Sequence, residues 1–156
     1  MGTYRESRNC EASLVDKITE LLSTDGWTGI RVEKVFAQVY QGGLPCILIQ
    51  QDPEDLTKLE IGSKTNIHYF YVNIRIFATS DGQRLDLKDW LSDKLEDDVD
   101  YYNYTITNGV VSGKVLAGRI AILNFLRNEK ELTNTETLAL EDKFRHIISF
   151  RCKIAN

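Results

Sequence analysis

A chain of 156 residues with 42% hydrophobic and 27% charged residues has the make-up of one globular domain able to bury a core, which argues against disorder and membrane embedding. The net charge of −4 argues against a protein that grips duplex nucleic acid, since such proteins collect Lys and Arg against phosphates. It leaves open a surface that nucleic acid slides past.

No apolar run reaches the roughly 20 residues of a spanning helix. The opening MGTYRESRNCEAS lacks an apolar secretory region, and Glu6 stands where myristoylation after Met1-Gly2 wants Ser or Thr. Cys10, Cys46 and Cys152 are odd in number, widely spaced and without a CxxC pair. That fits small apolar residues in a reducing compartment better than a disulfide framework or a zinc site.

The chain is expected to form a single domain over 1–156 with a flexible stretch over 1–8. Leu14, Val15, Ile18, Leu21 and Leu22 share one side of a helix from Asn9 to Ser23, which Asp25-Gly26 ends. Trp27 to Gln41 reads as a loop leading into a strand, Gly42-Gly43 as a turn, and Leu44 to Gln50 as a second strand with Pro45 at its beginning. Gln51 to Asn66 is polar and reads as an exposed excursion. From His68 to Ala78 the residues alternate, Phe70, Val72, Ile74 and Ile76 on a dry face and Tyr69, Tyr71, Asn73 and Arg75 opposite, as in a long strand. Ser80 and Gln83 then have capping-box spacing, ahead of a helix whose stripe is Leu87, Trp90, Leu91, Lys94 and Leu95.

The acidic run from Glu96 to Asp100 follows, at a helix C-terminus where the dipole disfavours negative charge. Tyr101 to Ile106 alternates weakly, Asn108-Gly109 signals a hairpin, and Val110 onward is extended. Gly118 to Arg127 carries large apolar residues on both sides and reads as buried on both faces. Glu129 to Asp142 is polar and reads as an irregular or short helical connection, and His146 to Ile154 is a closing strand, half dry like the long one. The fold class is therefore α+β: a mostly antiparallel sheet of five to six strands carrying an N-terminal and a central helix.

Chemistry is sparse. Neither His68 nor His146 has a nucleophile or second ligand at a useful spacing, although Cys152 and His68 would meet if their strands were neighbours. The glycines form neither GxxxxGK[ST] nor GxGxxG, and Asp52, Glu54 and Asp55 lack the order of an EF-hand loop. The sequon Asn103-Tyr104-Thr105 has no export signal to go with it. The tyrosines at 69, 71, 101, 102 and 104 suit packing first, a protein interface second and base stacking last. No catalytic, cofactor or metal residue is assigned.

In order and local texture these segments resemble the tail terminator family of long-tailed bacteriophages, also called tail-tube completion or neck proteins. The matching pieces are the N-terminal helix, the Pro-led strand Leu44–Ile49, the long strand around Tyr71–Ala78, the helix at Asp86–Leu91 and the closing strand Phe144–Arg151. The resemblance covers most of the chain from about residue 9. It implies a structural virion protein, made in the host cytoplasm and placed in the tail or neck. As a homohexameric ring it would end tail-tube polymerisation and join the tube protein to the head-side connector. It implies no enzyme activity, cofactor or membrane.

Double-stranded DNA would pass through the ring without specific binding, and an acidic lumen would keep phosphates from sticking. Asp52, Glu54 and Asp55, or Glu96, Asp97, Asp98 and Asp100, are the candidate lumen residues, and Tyr69, Tyr71 and Arg75 the candidate subunit contact. Two alternatives stay open: another phage neck, head-closure or minor capsid protein, and a small-ligand-binding α+β enzyme whose site forms only in three dimensions.

Overall fold

A computed structural model describes residues 5–51, 55–58, 66–131 and 144–155, with the backbone alone for Phe36, Tyr40, residues 55–58 and residues 66–68. In chain order the elements are α1 (Glu6–Thr24), β1 (Arg31–Glu33), α2 (Phe36–Gln41), β2 (Cys46–Gln51), β3 (Asp55–Lys58), β4 (Asn66–Phe77), α3 (Asp81–Lys94), β5 (Val99–Thr107), β6 (Val110–Lys130) and β7 (Arg145–Ala155). The fold is α+β. The sheet runs β1-β2-β4-β7-β6-β5, with β3 paired to the first half of β4. Every pairing is antiparallel except β1 with β2.

Cys10, Leu14, Ile18 and Leu22 recur every fourth residue along α1 and are all buried. The helix begins at Glu6, so Glu6 to Arg8, placed by the sequence in a flexible stretch, form its first turn. It ends in a Schellman motif: the Trp27 amide bonds to the Leu22 carbonyl at 2.9 Å and the Gly26 amide to that of Ser23 at 3.4 Å. Gly26 takes φ +78°, a value that costs glycine nothing and a side chain much.

The expected loop and strand over Trp27–Gln41 are corrected. Only Arg31–Glu33 is extended, and Phe36–Gln41 is a short helix. Val35, Ala37 and Val39 alternate in the sequence as a strand's residues would, yet only Val39 of the three is buried, while Val35 is 55% exposed. Since β1 and β2 run parallel, the chain must cross over between them, and α2 is that crossover. Arg31 fastens it, donating to the carbonyls of Val39 at 2.9 Å and Gly43 at 2.6 Å. The polar excursion is corrected in part, since Asp55–Lys58 pairs with Asn66–Tyr69.

The long strand has the expected alternation. Phe70, Val72, Ile74 and Ile76 are buried under α1 and α3 with Leu87, Leu91 and Leu95. Phe77, from the opposite set, is buried too, in a second cluster with Val39, Cys46 and Leu48. Ser80 caps α3, its Oγ accepting the Gln83 amide at 3.2 Å. The return bond goes to Thr79, whose amide donates to Gln83 Oε1 at 2.8 Å, one residue earlier than in the standard box.

The expectation for β7 is also corrected. Arg145 to Phe150 are all buried, the side chains of both faces alike, in a strand flanked by β4 and β6. The sheet is curled, so that α1 packs on β5 at one end of the strand order and on β1 and β2 at the other.

Candidate functional site

The strand β6 combines most of the features that bear on function. Asn108 at φ 53° and Gly109 at φ 79° make the two-residue turn whose twist matches that of a hairpin. From there β5 and β6 pair from Thr107↔Val110 back to Val99↔Ile120. Strand β7 ends at Ala155, opposite Arg119. Past that level the hairpin is a two-stranded arm with no third strand among the described residues, and Val110, Val111, Val115 and Leu116 on it are 51–68% exposed.

The other half of β6, Ala121–Lys130, pairs with β7 on one side, and β5 stops before reaching its other side. Register shifts between Ile122 and Asn124 and between Phe125 and Arg127 leave Leu123 and Leu126 as extra residues of two bulges. Leu123, Phe125 and Leu126 are 42–51% exposed. The expectation that Gly118–Arg127 is buried on both faces is thus overturned within the subunit: Ile120 alone is fully buried there.

The outer edge of β5 is treated differently. The Tyr102 amide donates to Ser13 Oγ at 3.0 Å and the Tyr104 amide to Asn9 Oδ1 at 3.4 Å, so α1 closes that edge against strand addition. Tyr104 Oη donates to Asp16 Oδ2 at 2.5 Å, and burial and that carboxylate both push its pKa upward. Beside this contact lies a shallow cleft of about 30 Å3 lined by Ser13, Asp16, Lys17, Glu20, Asp100, Tyr102 and Lys114. That volume holds a water or two.

Tyr69, Tyr71 and Arg75, the residues expected at a subunit contact, share the face of β4 opposite Phe70, Val72, Ile74 and Ile76, as their alternation implied. Arg75 is engaged inside the subunit, with Glu131 at 3.1 Å and Gln50 at 3.3 Å. Arg145 reaches the same carboxylate at 3.4 Å. Tyr69 lies under the Arg151 guanidinium, 3.8 Å from its ring centroid, and Tyr71 is half-buried.

Of the acidic candidates, Asp52 and Glu54 lie outside the described residues, and Asp55 is described by its backbone in β3. Glu96, Asp97, Asp98 and Asp100 are exposed where α3 passes into β5. The register relates the two sets. Asp55 pairs with Tyr69, Tyr69 with Lys153, and Lys153 with Ala121, the neighbour of Ile120 that pairs with Val99. Asp55 and the run from Glu96 to Asp100 therefore sit at one end of the sheet, four strand spacings or about 19 Å apart if it were flat.

No protein-family model and no curated protein matches the chain.

The two strands that carry His68 and Cys152 are neighbours, and Cys152 pairs with Phe70. Cys152 is sealed in the core, out of reach of a substrate. Burial pushes the Cys46 thiol up to about 11, so it stays protonated and inert. Among the described residues no cluster of His, Cys, Asp and Glu is arranged to hold a metal, and no helix is long and apolar enough to cross a membrane.

Sequence reasoning missed a buried polar strut. Arg84 Nη1 lies 2.8 Å from His146 Nδ1. Because Arg can only donate, Nδ1 accepts, and Nε2–H donates to Asn128 Oδ1 at 2.6 Å. Asn128 Nδ2 passes the chain to Ser92 Oγ at 2.9 Å. The strut ties α3 to β7 and β6.

Proposed function

We propose that this protein is a structural subunit of a bacteriophage tail: a tail terminator that caps the tail tube, stops its growth and joins it to the head-side connector as a hexameric ring. One observation supports it most, the apolar surface that β6 holds out in water on the arm and the bulged edge. A chain that closes the outer edge of β5 with helix side chains and leaves apolar residues on the half of β6 that β5 does not cover is built to be completed by another protein surface. The resemblance in element order supplies which assembly. The acidic end of the sheet fits a ring lumen along which DNA passes, because like charge keeps phosphates from adhering.

Growth would stop by a mismatch of faces: one side of the ring copies the tube subunit's acceptor, and the other offers the next tube subunit nothing. The protein would be made in the host cytoplasm and end in the virion. Electron microscopy of the purified protein with and without its cognate tail tubes tests this. Rings viewed end-on, or caps on one tube end with shorter tubes, are expected. Tubes that keep growing uncapped in excess protein rule the terminator reading out. Binding to the connector alone would point to a head-closure protein, and a small ligand bound stoichiometrically to a non-assembling monomer would point to an enzyme.

A further inference from the structure

Strand β6 carries two apolar patches, not one. Val110, Val111, Val115 and Leu116 lie on the arm, Leu123, Phe125 and Leu126 at the bulged edge, and the better covered stretch Ala117–Ile122 separates them. Seven residues of extended chain from Leu116 to Leu123 span about 23 Å. We propose that these patches are the two halves of one contact between copies of this chain, the arm of one subunit lying across the bulged β6 edge of the next.

Three features select a second copy as the occupant. At ordinary side-chain areas the two patches leave on the order of 600 Å2 of apolar surface in water, the upper range for a lone monomer. A head-to-tail contact takes one patch from each partner, so the same area is the apolar part of one interface, more than a third of the roughly 1,600 Å2 that a stable interface buries in all. The patches also differ in position and shape, as a closed head-to-tail assembly requires, where each subunit offers two unlike surfaces. Finally, the borders carry opposite charge. Asp16, Glu20, Asp98 and Asp100 outnumber Lys17, Lys114 and Arg119 by one at the root of the arm, while the exposed Arg127 and Lys130 outnumber the exposed Glu129 by one beyond the edge patch.

The contact is made by side chains. Bulges at Leu123 and Leu126 break the regular spacing of amides and carbonyls that strand addition needs, and they turn both leucines outward as knobs. The inference deepens the ring reading above and rests on it for the closure into a ring.

Cysteine pairing tests it, since the three native thiols are fully buried and introduced ones dominate oxidation. With tubes present and absent, V115C/L126C under mild oxidation is expected to give a ladder of disulfide-linked species beyond the dimer, and each single variant no ladder. A double variant that stays monomeric or stops at the dimer in both conditions overturns the proposal. Val111→Lys with Leu116→Lys, at exposed positions, should keep the far-UV spectrum and weaken self-association at least about tenfold. Self-association equal to wild type also overturns it. Tube capping separates the two readings: caps without a ladder remove the arm contact and keep the terminator, and a ladder without caps does the reverse.

Discussion

The Arg84–His146–Asn128 strut makes the protein's stability depend on pH through one buried imidazole. Burial first, and then the Arg84 charge, lower the His146 pKa from 6.5 to about 4. Protonation would put a proton on Nδ1, the atom that accepts from Arg84, and set two cations 2.8 Å apart. The folded pKa lies below the unfolded one, so the contribution is fully present above about pH 6.5 and is lost as pH falls toward 4. At about 1.4 kcal/mol per unit, the loss by pH 5 is about 2 kcal/mol at face value. Solvent near the exposed Asn128 end screens it to about 1 kcal/mol.

The perturbation is His146→Gln, which keeps an acceptor for Arg84 and a donor for Asn128 but does not titrate. Urea unfolding of both proteins at pH 7.5, 6 and 5 should show the wild type losing its advantage over the variant by about 1 kcal/mol across that range. Other titrating groups cancel in the difference. In the wild type, NMR should show the His146 ring still neutral at pH 5. A difference in stability that stays constant from pH 7.5 to 5, or a ring that titrates near 6.5, refutes the reasoning.

Other outcomes follow from the packing and the charge. Leu91→Ala empties a fully buried site between α3 and the sheet and should cost about 2–5 kcal/mol in urea unfolding. Ser13→Ala removes the acceptor of the Tyr102 amide; it should cost about 1 kcal/mol and speed hydrogen exchange at Tyr102 more than at the β7 core. Glu131→Gln leaves Arg75 and Arg145 facing a neutral amide and should destabilise by about 2–3 kcal/mol, measured the same way. Under the proposed terminator function, replacing Glu96, Asp97, Asp98 and Asp100 by Lys should leave ring assembly intact and slow DNA ejection. Unchanged infectivity would remove these residues from the lumen.

The elements readable in the sequence are those whose signal is local. Five apolar residues at helical spacing mark α1, strict alternation marks β4, and Asn108-Gly109 marks the hairpin, because each pattern is completed within one element or one turn. What escaped depends on partners far along the chain. The short helix α2 is held by Arg31 reaching forward to Val39 and Gly43, which no periodicity within Phe36–Gln41 reveals. Arg84 and His146 are 62 positions apart, and neither looks buried from its neighbours. Burial of β7 on both faces depends on what packs over each face of the sheet, which its own alternation does not report.

The error over Gly118–Arg127 is of another kind, and it bears on assembly. Large apolar residues on both sides of a strand report that both sides are dry in the state where selection acts. In the isolated subunit they are not: Leu123, Phe125 and Leu126 stand 42–51% in water. A pattern that fails for the fold can still hold for the assembly, because the free energy of burying a leucine is the same whichever chain supplies the cover. On that argument the mismatch between the apolar string and its exposure is itself a measure of surface left for a partner. It falls on the strand whose neighbouring edge α1 has taken care to close, so the opening on β6 is a choice of side, not a general failure of the sheet to cover itself.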